Sequence, residues 1–207
     1  MSMIKKVLLF DYDGTIVDSL DVAFRAYNMI AEEYSMPRMK SKEEFAGLYE
    51  NNIYDAFIKL GLNHNKIKEF NYKLRDKFLE CGYKPKLFNG IKKVVNQLHN
   101  TNRIIVITSN ITKTIEESIE KANLDIHEVI GGDKETSKVK KILSVKKRYP
   151  SAELFYIGDT IGDIIEGKKA GIKTVGVCWG YHSRKMIESV CPDFIAEKAE
   201  DLLKIFE

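Results

Sequence analysis

The sequence is short of cysteine, of long apolar runs and of charge of one sign, and each shortage removes a class of protein. Cys81, Cys178 and Cys191 are its three cysteines in 207 residues. They are odd in number and widely spaced, so they form neither a metal motif nor a disulfide framework. A reducing compartment is the natural setting. No apolar stretch approaches the roughly 18 residues that a membrane span needs. No signal-peptide-like apolar region precedes the first apolar strand. A cytoplasmic location with no membrane partner is therefore the expectation. The 33 basic and 30 acidic side chains leave a formal charge of +3. The basic residues are interleaved with acids, as between Lys113 and Lys121, which argues against a nucleic-acid stripe. His64, His99, His127 and His182 share no ligand spacing and read as surface or internally satisfied residues. There is no internal repeat and no low-complexity tract. An apolar share of 44% and a charged share of 30% describe an ordinary globular chain, long enough for one large domain or a core with a small insert.

What is present centres on Phe10-Asp11-Tyr12-Asp13-Gly14-Thr15-Ile16-Val17-Asp18. Val7-Leu8-Leu9-Phe10 is short, apolar and suited to a buried strand. Asp11 is expected at its carboxyl end and Asp13 just beyond, with Gly14 allowing a sharp turn. In an open parallel sheet, ligands bind at that end of the strands. Positions i and i+2 of a strand face the same way, so the two carboxylates can converge. Carboxylates that close repel unless a cation or a shared proton compensates. Read alone, Asp-x-Asp-Gly is also an ordinary turn sequence.

From Ser19 to about Tyr83 no strand is expected. Val22, Ala23, Ala26, Tyr27, Ile30 and Ala31 fall at helical spacing, with Pro37 after them and Asp18 as the expected cap. Phe45, Leu48 and Tyr49 suggest a second short helix. Ile53, Ala56, Phe57 and Leu60 make a third, closed by Gly61, and Ile67 to Leu79 a fourth ending near Gly82. After a turn over Pro85 to Gly90, strands and helices alternate. Strands are expected at 103–107, 128–130, 153–157, 173–177 and 192–195. Helices are expected after Gly90, over 111–122, 137–148, through Ala170 and over 200–206. This alternation implies parallel βαβ units. The expected fold is α/β: a Rossmann-like parallel sheet core flanked by helices, residues 1–17 and 86–207, with an inserted all-helical cap domain at 18–85.

Three strand ends carry polar residues suited to one task. The first has Asp11 and Asp13, the second Thr108, Ser109 and Asn110, and a later one Gly158, Asp159 and Asp163. Carboxylates without paired thiolates suit a hard cation, Mg²⁺ rather than zinc. Asp11 and Asp159 are the obvious ligand pair. Asp163, one helical turn further on, could bind directly, bind through water, or serve its own helix N-terminus. Hydroxyls and backbone N–H groups at a helix start suit phosphate, and Lys138 is the lysine chosen to balance its charge. Trp179 and Tyr181 read equally as packing residues or substrate contacts.

With those residues in place, the chain resembles the haloacid dehalogenase superfamily of phosphohydrolases. Its four motifs appear in order as Asp11-Tyr12-Asp13-Gly14-Thr15, Thr108, Lys138 and Gly158-Asp159-Thr160-Ile161-Gly162-Asp163. A helical cap directly after the first motif is similar to the small-cap branch. Gly131-Gly132-Asp133 and Trp179-Gly180-Tyr181-His182-Ser183 resemble the phosphoglycolate phosphatase-like group. That group usually has Pro after the third-motif lysine. Here Val139 follows, and Lys134, Lys140 and Lys141 are close by. The resemblance implies Asp11 as nucleophile, Asp13 as general acid and base, and Thr108, Ser109 and Lys138 as phosphate ligands. It implies Mg²⁺ at Asp11, Asp13 (through its main-chain carbonyl), Asp159 and Asp163, and a small phosphorylated metabolite as partner, phosphoglycolate-like by preference. A phosphosugar mutase, a nucleotidase, a pyrophosphatase or a non-catalytic phosphate-binding protein are the alternatives. Asp13 disfavours a dehalogenase, whose chemistry needs no second aspartate. The expected state is a monomer or homodimer.

Overall fold

The computed structural model describes residues 4–81, 84 and 86–206. Six strands form one sheet: β1 (Lys6–Phe10), β2 (Arg103–Ile107), β3 (Glu128–Ile130), β4 (Glu153–Gly158), β5 (Lys173–Val177) and β6 (Phe194–Ala196). All neighbours are parallel, in the order β3-β2-β1-β4-β5-β6. Four helices fall within residues 20–80, namely α1 (Leu20–Ile30), α2 (Lys42–Ala46), α3 (Ile53–Lys59) and α4 (Ile67–Glu80). The rest are α5 (Ile91–His99), α6 (Thr112–Ala122), α7 (Lys138–Arg148), α8 (Ile161–Lys169), α9 (Arg184–Ser189) and α10 (Asp201–Phe206).

Side-chain alternation along the strands builds two cores. Leu8, Phe10, Ile104, Val106, Phe155 and Ile157 pack on one face against the buried stripe of α5 and on α6 and α10. Val7, Leu9, Ile105, Ile107 and Tyr156 pack on the other against Ile142 and Val145 of α7. A Rossmann-like sheet covered on both faces follows. From β1 the chain first moves to β2 and β3, then returns to β4 on the other side of β1. That reversal opens a crevice at the carboxyl ends of β1 and β4. Phe10 pairs with Val106 on one side and Ile157 on the other, so the residues after these three strands come level.

Residues 20–80 hold a third, separate apolar cluster around Tyr27, Phe45, Phe57 and Phe70. Tyr27 stacks on Phe57 at 5.8 Å and Phe57 meets Phe70 edge-on at 5.0 Å. Each buried aromatic contributes roughly 1.5–3 kcal/mol of burial, so this segment carries a core of its own. The chain leaves and re-enters the sheet side by side: Asp18 N–H donates to Lys86 O at 2.8 Å and Phe88 N–H to Ile16 O at 3.1 Å.

Several local expectations change. Asp18 does not cap α1. Ser19 holds that position without a side-chain cap bond, and the Asp18 carboxylate lies 3.7 Å from Lys86 Nζ. Phe45 and Tyr49 fall on α2 and a separate 3₁₀ turn, Gly47–Glu50, not on one helix. Helix α9 was not expected, because Ile187 is its one buried residue. The expected terminator Gly82, with Tyr83 and Pro85, lies outside the described residues.

Candidate active site

The loop after β1 is folded by its own main chain, with Gly14 N–H donating to Val17 O at 2.8 Å and Ile16 N–H to Tyr12 O at 2.9 Å. Gly14 sits at φ 77°, and a Cβ there would overlap the Asp159 carboxylate. Backbone conformation and space both require glycine. Asp159 is fully buried. Thr15 Oγ1 donates to its Oδ1 at 2.7 Å and Tyr181 N–H to its Oδ2 at 2.7 Å. Burial, then the charge of Asp163, pushes the Asp159 carboxyl up to about 7.

Asp163 is the third residue of α8 and closes a capping box with Thr160. Its Oδ2 accepts from Thr160 N–H at 3.1 Å and Thr160 Oγ1 at 2.6 Å, and its Oδ1 from Lys138 Nζ at 2.7 Å and Tyr156 Oη at 3.1 Å. Burial opposes its ionisation, but the charge of Lys138 and these hydrogen bonds outweigh it, and the carboxyl is held low. Lys138 Nζ also lies 3.0 Å from Asp11 Oδ1. Burial disfavours the ammonium, yet Asp11 and Asp163 together raise it well above the usual lysine range. Burial in turn raises the Asp11 carboxyl, with Lys138 opposing.

Of the four lysines near the third motif, Lys138 is the one placed against Asp11. Lys134 and Lys140 are exposed. Lys141 is buried and donates to Thr108 O at 2.5 Å, and burial followed by the charge of Lys138 lowers its amine to about 7. Lys138, Lys141, Ile142 and Val145 form one buried face of α7, which is how two lysines point inward.

Thr108, Ser109 and Asn110 follow β2. Thr108 Oγ1 accepts from Asn110 N–H at 3.1 Å, and Asn110 Nδ2 donates to Asp13 Oδ2 at 2.5 Å. The other oxygen, Asp13 Oδ1, is buried and has no hydrogen-bond partner among the described residues. Burial raises the Asp13 carboxyl, against the neighbouring Ser19 hydroxyl, Lys138 and Asn110. Asp11, Asp13, Thr108, Ser109 and Lys138 line one cavity of about 50 Å³, whose opposite wall comes from α1–α4. Asp159 and Asp163 stand behind it, with oxygens of Asp11, Asp159 and Asp163 all within 4.8 Å of one another.

The helical segment is fastened over this end of the sheet by polar contacts. Tyr54 Oη donates to Ser109 O at 2.5 Å and accepts from Asn71 Nδ2 at 2.9 Å. Ser19 Oγ and Tyr181 Oη are 3.0 Å apart, and Tyr49 meets Tyr181 edge-on at 5.1 Å. His182 is buried and satisfied, as expected. Its Nδ1 accepts from Ile161 N–H at 2.9 Å, so Nε2 carries the hydrogen and donates to Ala46 O at 2.9 Å. Trp179 Nε1 donates to Thr15 O at 3.0 Å, a packing role for the loop that positions Asp159.

A model of the haloacid dehalogenase-like hydrolases matches residues 8–177. The chain belongs to that family. Among curated hydrolases it is 23% identical to a phosphoglycolate phosphatase from Synechococcus elongatus over 204 residues, 96% of each chain. It is 25% identical to the pyrophosphatase PpaX of Bacillus cereus over 214 residues, 96% of this chain and 94% of that one. Its fold is shared with a haloacid dehalogenase-like hydrolase from Streptococcus pneumoniae, at 23% identity, TM-score 0.79 and full coverage of both chains. A hydrolase from Pseudomonas syringae shares it at 16% identity and TM-score 0.79, with 96% of each chain covered. Among the described residues, no helix of this hydrolase is long and apolar enough to cross a membrane.

Sequence reasoning placed Asn110 among the polar strand-end residues and Lys141 among the neighbours of Lys138 without a specific role, and gave none to Thr15, Tyr54 or Asn71. Thr15 carried a signal as the last residue of the first motif, and Asn110 as the neighbour of Ser109. Lys141 carried one in its spacing from Ile142 and Val145. Tyr54 and Asn71 carried none, because their roles arise only when α3 and α4 meet the end of β2.

Proposed function

We propose that this hydrolase is a Mg²⁺-dependent phosphatase that cleaves a small phosphomonoester through an aspartyl-phosphate on Asp11. The observation that carries the reading is the convergence of Asp11, Asp13, Thr108, Ser109 and Lys138 on one cavity. The curated relatives named as phosphatase and pyrophosphatase support phosphoryl chemistry but not one substrate.

The donor set fits a hard divalent cation. Asp11, Asp159 and Asp163 bring three buried carboxylates to one place, with the Lys138 ammonium as the nearest counter-charge. Asp11, Asp159 and the Asp13 main-chain carbonyl would hold it. Asp163 has already given its oxygens to Lys138, Tyr156 and Thr160, so it would act through water and by holding Lys138. When bound, Mg²⁺ supplies positive charge that lets an anion approach a phosphate dianion.

The chain's own groups then divide the work. Thr108, Ser109 and Lys138 hold the phosphoryl oxygens. The Asp11 carboxylate attacks phosphorus while the bond to the leaving oxygen breaks, and Asp13 gives that oxygen its proton. Asn110 fixes one oxygen of Asp13 and leaves the other free for the transfer. Asp13 next takes a proton from water as that water attacks phosphorus. The Asp11–phosphorus bond breaks, inorganic phosphate leaves, and the Asp11 carboxylate is restored. Acid–base help accounts for ~10²–10⁴ of the rate, so positioning and charge carry most of the acceleration. Residues 18–85 act as a cap that shuts water out until the intermediate forms.

The test is phosphate release from p-nitrophenyl phosphate and a phosphomonoester panel, with and without Mg²⁺. Release that needs Mg²⁺ and disappears in Asp11→Asn is expected. Undiminished release in a chelator, or in Asp11→Asn, overturns the reading.

A further inference from the structure

We infer that the leaving group of the substrate is a small, uncharged alcohol, a deduction that rests on the phosphatase reading above. The cavity has two unlike halves. Its charged lining residues are Asp11, Asp13 and Lys138, all carried by the sheet domain's loops and α7. Lys138 is already matched by two carboxylates, 3.0 Å from Asp11 and 2.7 Å from Asp163. The other half comes from α1–α4 and presents, among others, Tyr49, Tyr54, Phe57, Asn71, Leu74 and Phe78. Among the described residues of that half there is no lysine, arginine or histidine.

A phosphoryl group placed against Thr108 and Lys138 directs the rest of the molecule toward that aromatic wall. A carboxylate there, or a second phosphate, would be buried against a wall whose described lining residues include no cation. An uncompensated buried charge is strongly disfavoured. A hydroxyl-bearing carbon chain meets no such penalty, since Asn71 and Tyr49 offer hydrogen bonds and Phe57, Leu74 and Phe78 offer apolar contact. The volume of about 50 Å³ leaves room for only a few heavy atoms.

The other cationic residues nearby lie outside the cavity: Arg75, paired with Asp76, lines a small neighbouring one that shares Phe78 and Asn110 with it. His64, Lys68 and Lys134 line a cleft of about 370 Å³ that shares Asn71 and Ile111 with the cavity as a common wall. The hydrogen-bonded chain from Asn71 Nδ2 to Tyr54 Oη to Ser109 O runs along that wall.

The experiment compares kcat/KM with Mg²⁺ for glycerol 3-phosphate, phosphoglycolate, pyrophosphate and p-nitrophenyl phosphate. Glycerol 3-phosphate is expected to lead phosphoglycolate and pyrophosphate by at least about tenfold. Leu74→Arg places a cation in the neutral wall. It is expected to narrow the gap for phosphoglycolate by about tenfold, with circular dichroism reporting that the variant is folded. Phosphoglycolate or pyrophosphate equal to or ahead of glycerol 3-phosphate overturns the inference and leaves the phosphatase standing. So does a folded Leu74→Arg with an unchanged gap. No Mg²⁺-dependent release from any of the four overturns the phosphatase reading itself.

Discussion

Asn110 Nδ2 lies 2.5 Å from Asp13 Oδ2, joining the loop after the second strand to the loop after the first. The amide fixes the rotation of the Asp13 carboxyl and leaves Oδ1 as its free oxygen. Asn110→Ala is therefore expected to lower kcat by about 10- to 100-fold, the usual cost of a misplaced catalytic group. KM should change little, because the amide holds Asp13 and not the phosphate. Steady-state kinetics with p-nitrophenyl phosphate reads both, and a rise in KM at constant kcat would contradict the assignment.

Lys138 is the ammonium within a cluster that also holds Asp11 and Asp163, with Asp159 beside it. Lys138→Met leaves those carboxylates facing one another. Losing one partner of a buried pair costs up to roughly 3–5 kcal/mol. Thermal unfolding in a chelator should show the variant below the parent by on the order of 10 °C. Mg²⁺ should recover more of that loss in the variant than it adds to the parent, since the ion replaces the missing charge. Equal midpoints in the chelator would show that the cluster is not under electrostatic strain.

Lys141 sets a pH dependence of stability. Burial lowers its amine from 10.5 to about 7 in the folded chain. Between those values unfolding takes up a proton, so stability rises with pH, and below the lower value the cost of the buried charge stands in full. Lys141→Met removes that cost and gives up the bond to Thr108 O. The difference between variant and parent in urea unfolding should therefore favour the variant most at about pH 6 and shift toward the parent by about pH 10. A difference that does not vary with pH would contradict the burial argument.

Gly14 combines φ 77° with the closest approach to Asp159. Gly14→Ala is expected to cost about 1–3 kcal/mol of stability through backbone strain. It should lower turnover by about 100-fold or more, because the new methyl displaces the Asp159 carboxylate. Circular dichroism separates this from gross unfolding, and near-normal turnover would remove the close approach from the account.

The sheet was legible because its strands are short, apolar and separated by helices of ordinary length. Asp11, Asp13 and Asp159 were legible because polar residues at several strand ends have one place to meet in a parallel sheet. Lys138 could be separated from Lys141 only once β1 and α8 were in place. Both lysines share the inward face of α7, and what distinguishes them is the pair Asp11 and Asp163 beside one and the Thr108 carbonyl beside the other. The bond from Asn110 to Asp13 depends on the register of Phe10 against Val106, which no local pattern states. Asp18 misled because Asp and Ser both cap helices well. The pairing of residues 16–18 with 86–88 drew Asp18 toward Lys86.

The most direct test of the central claim is chemical trapping at Asp11 during turnover. Borohydride reduces an acyl phosphate to an alcohol, so quenching the working enzyme with borohydride should convert Asp11 to homoserine, read by peptide mass spectrometry. The conversion should require both substrate and Mg²⁺ and should be absent from Asp13 and Asp159. An enzyme that turns over substrate with no homoserine at position 11, while Asp11→Asn keeps most of its activity, would contradict the aspartyl-phosphate mechanism.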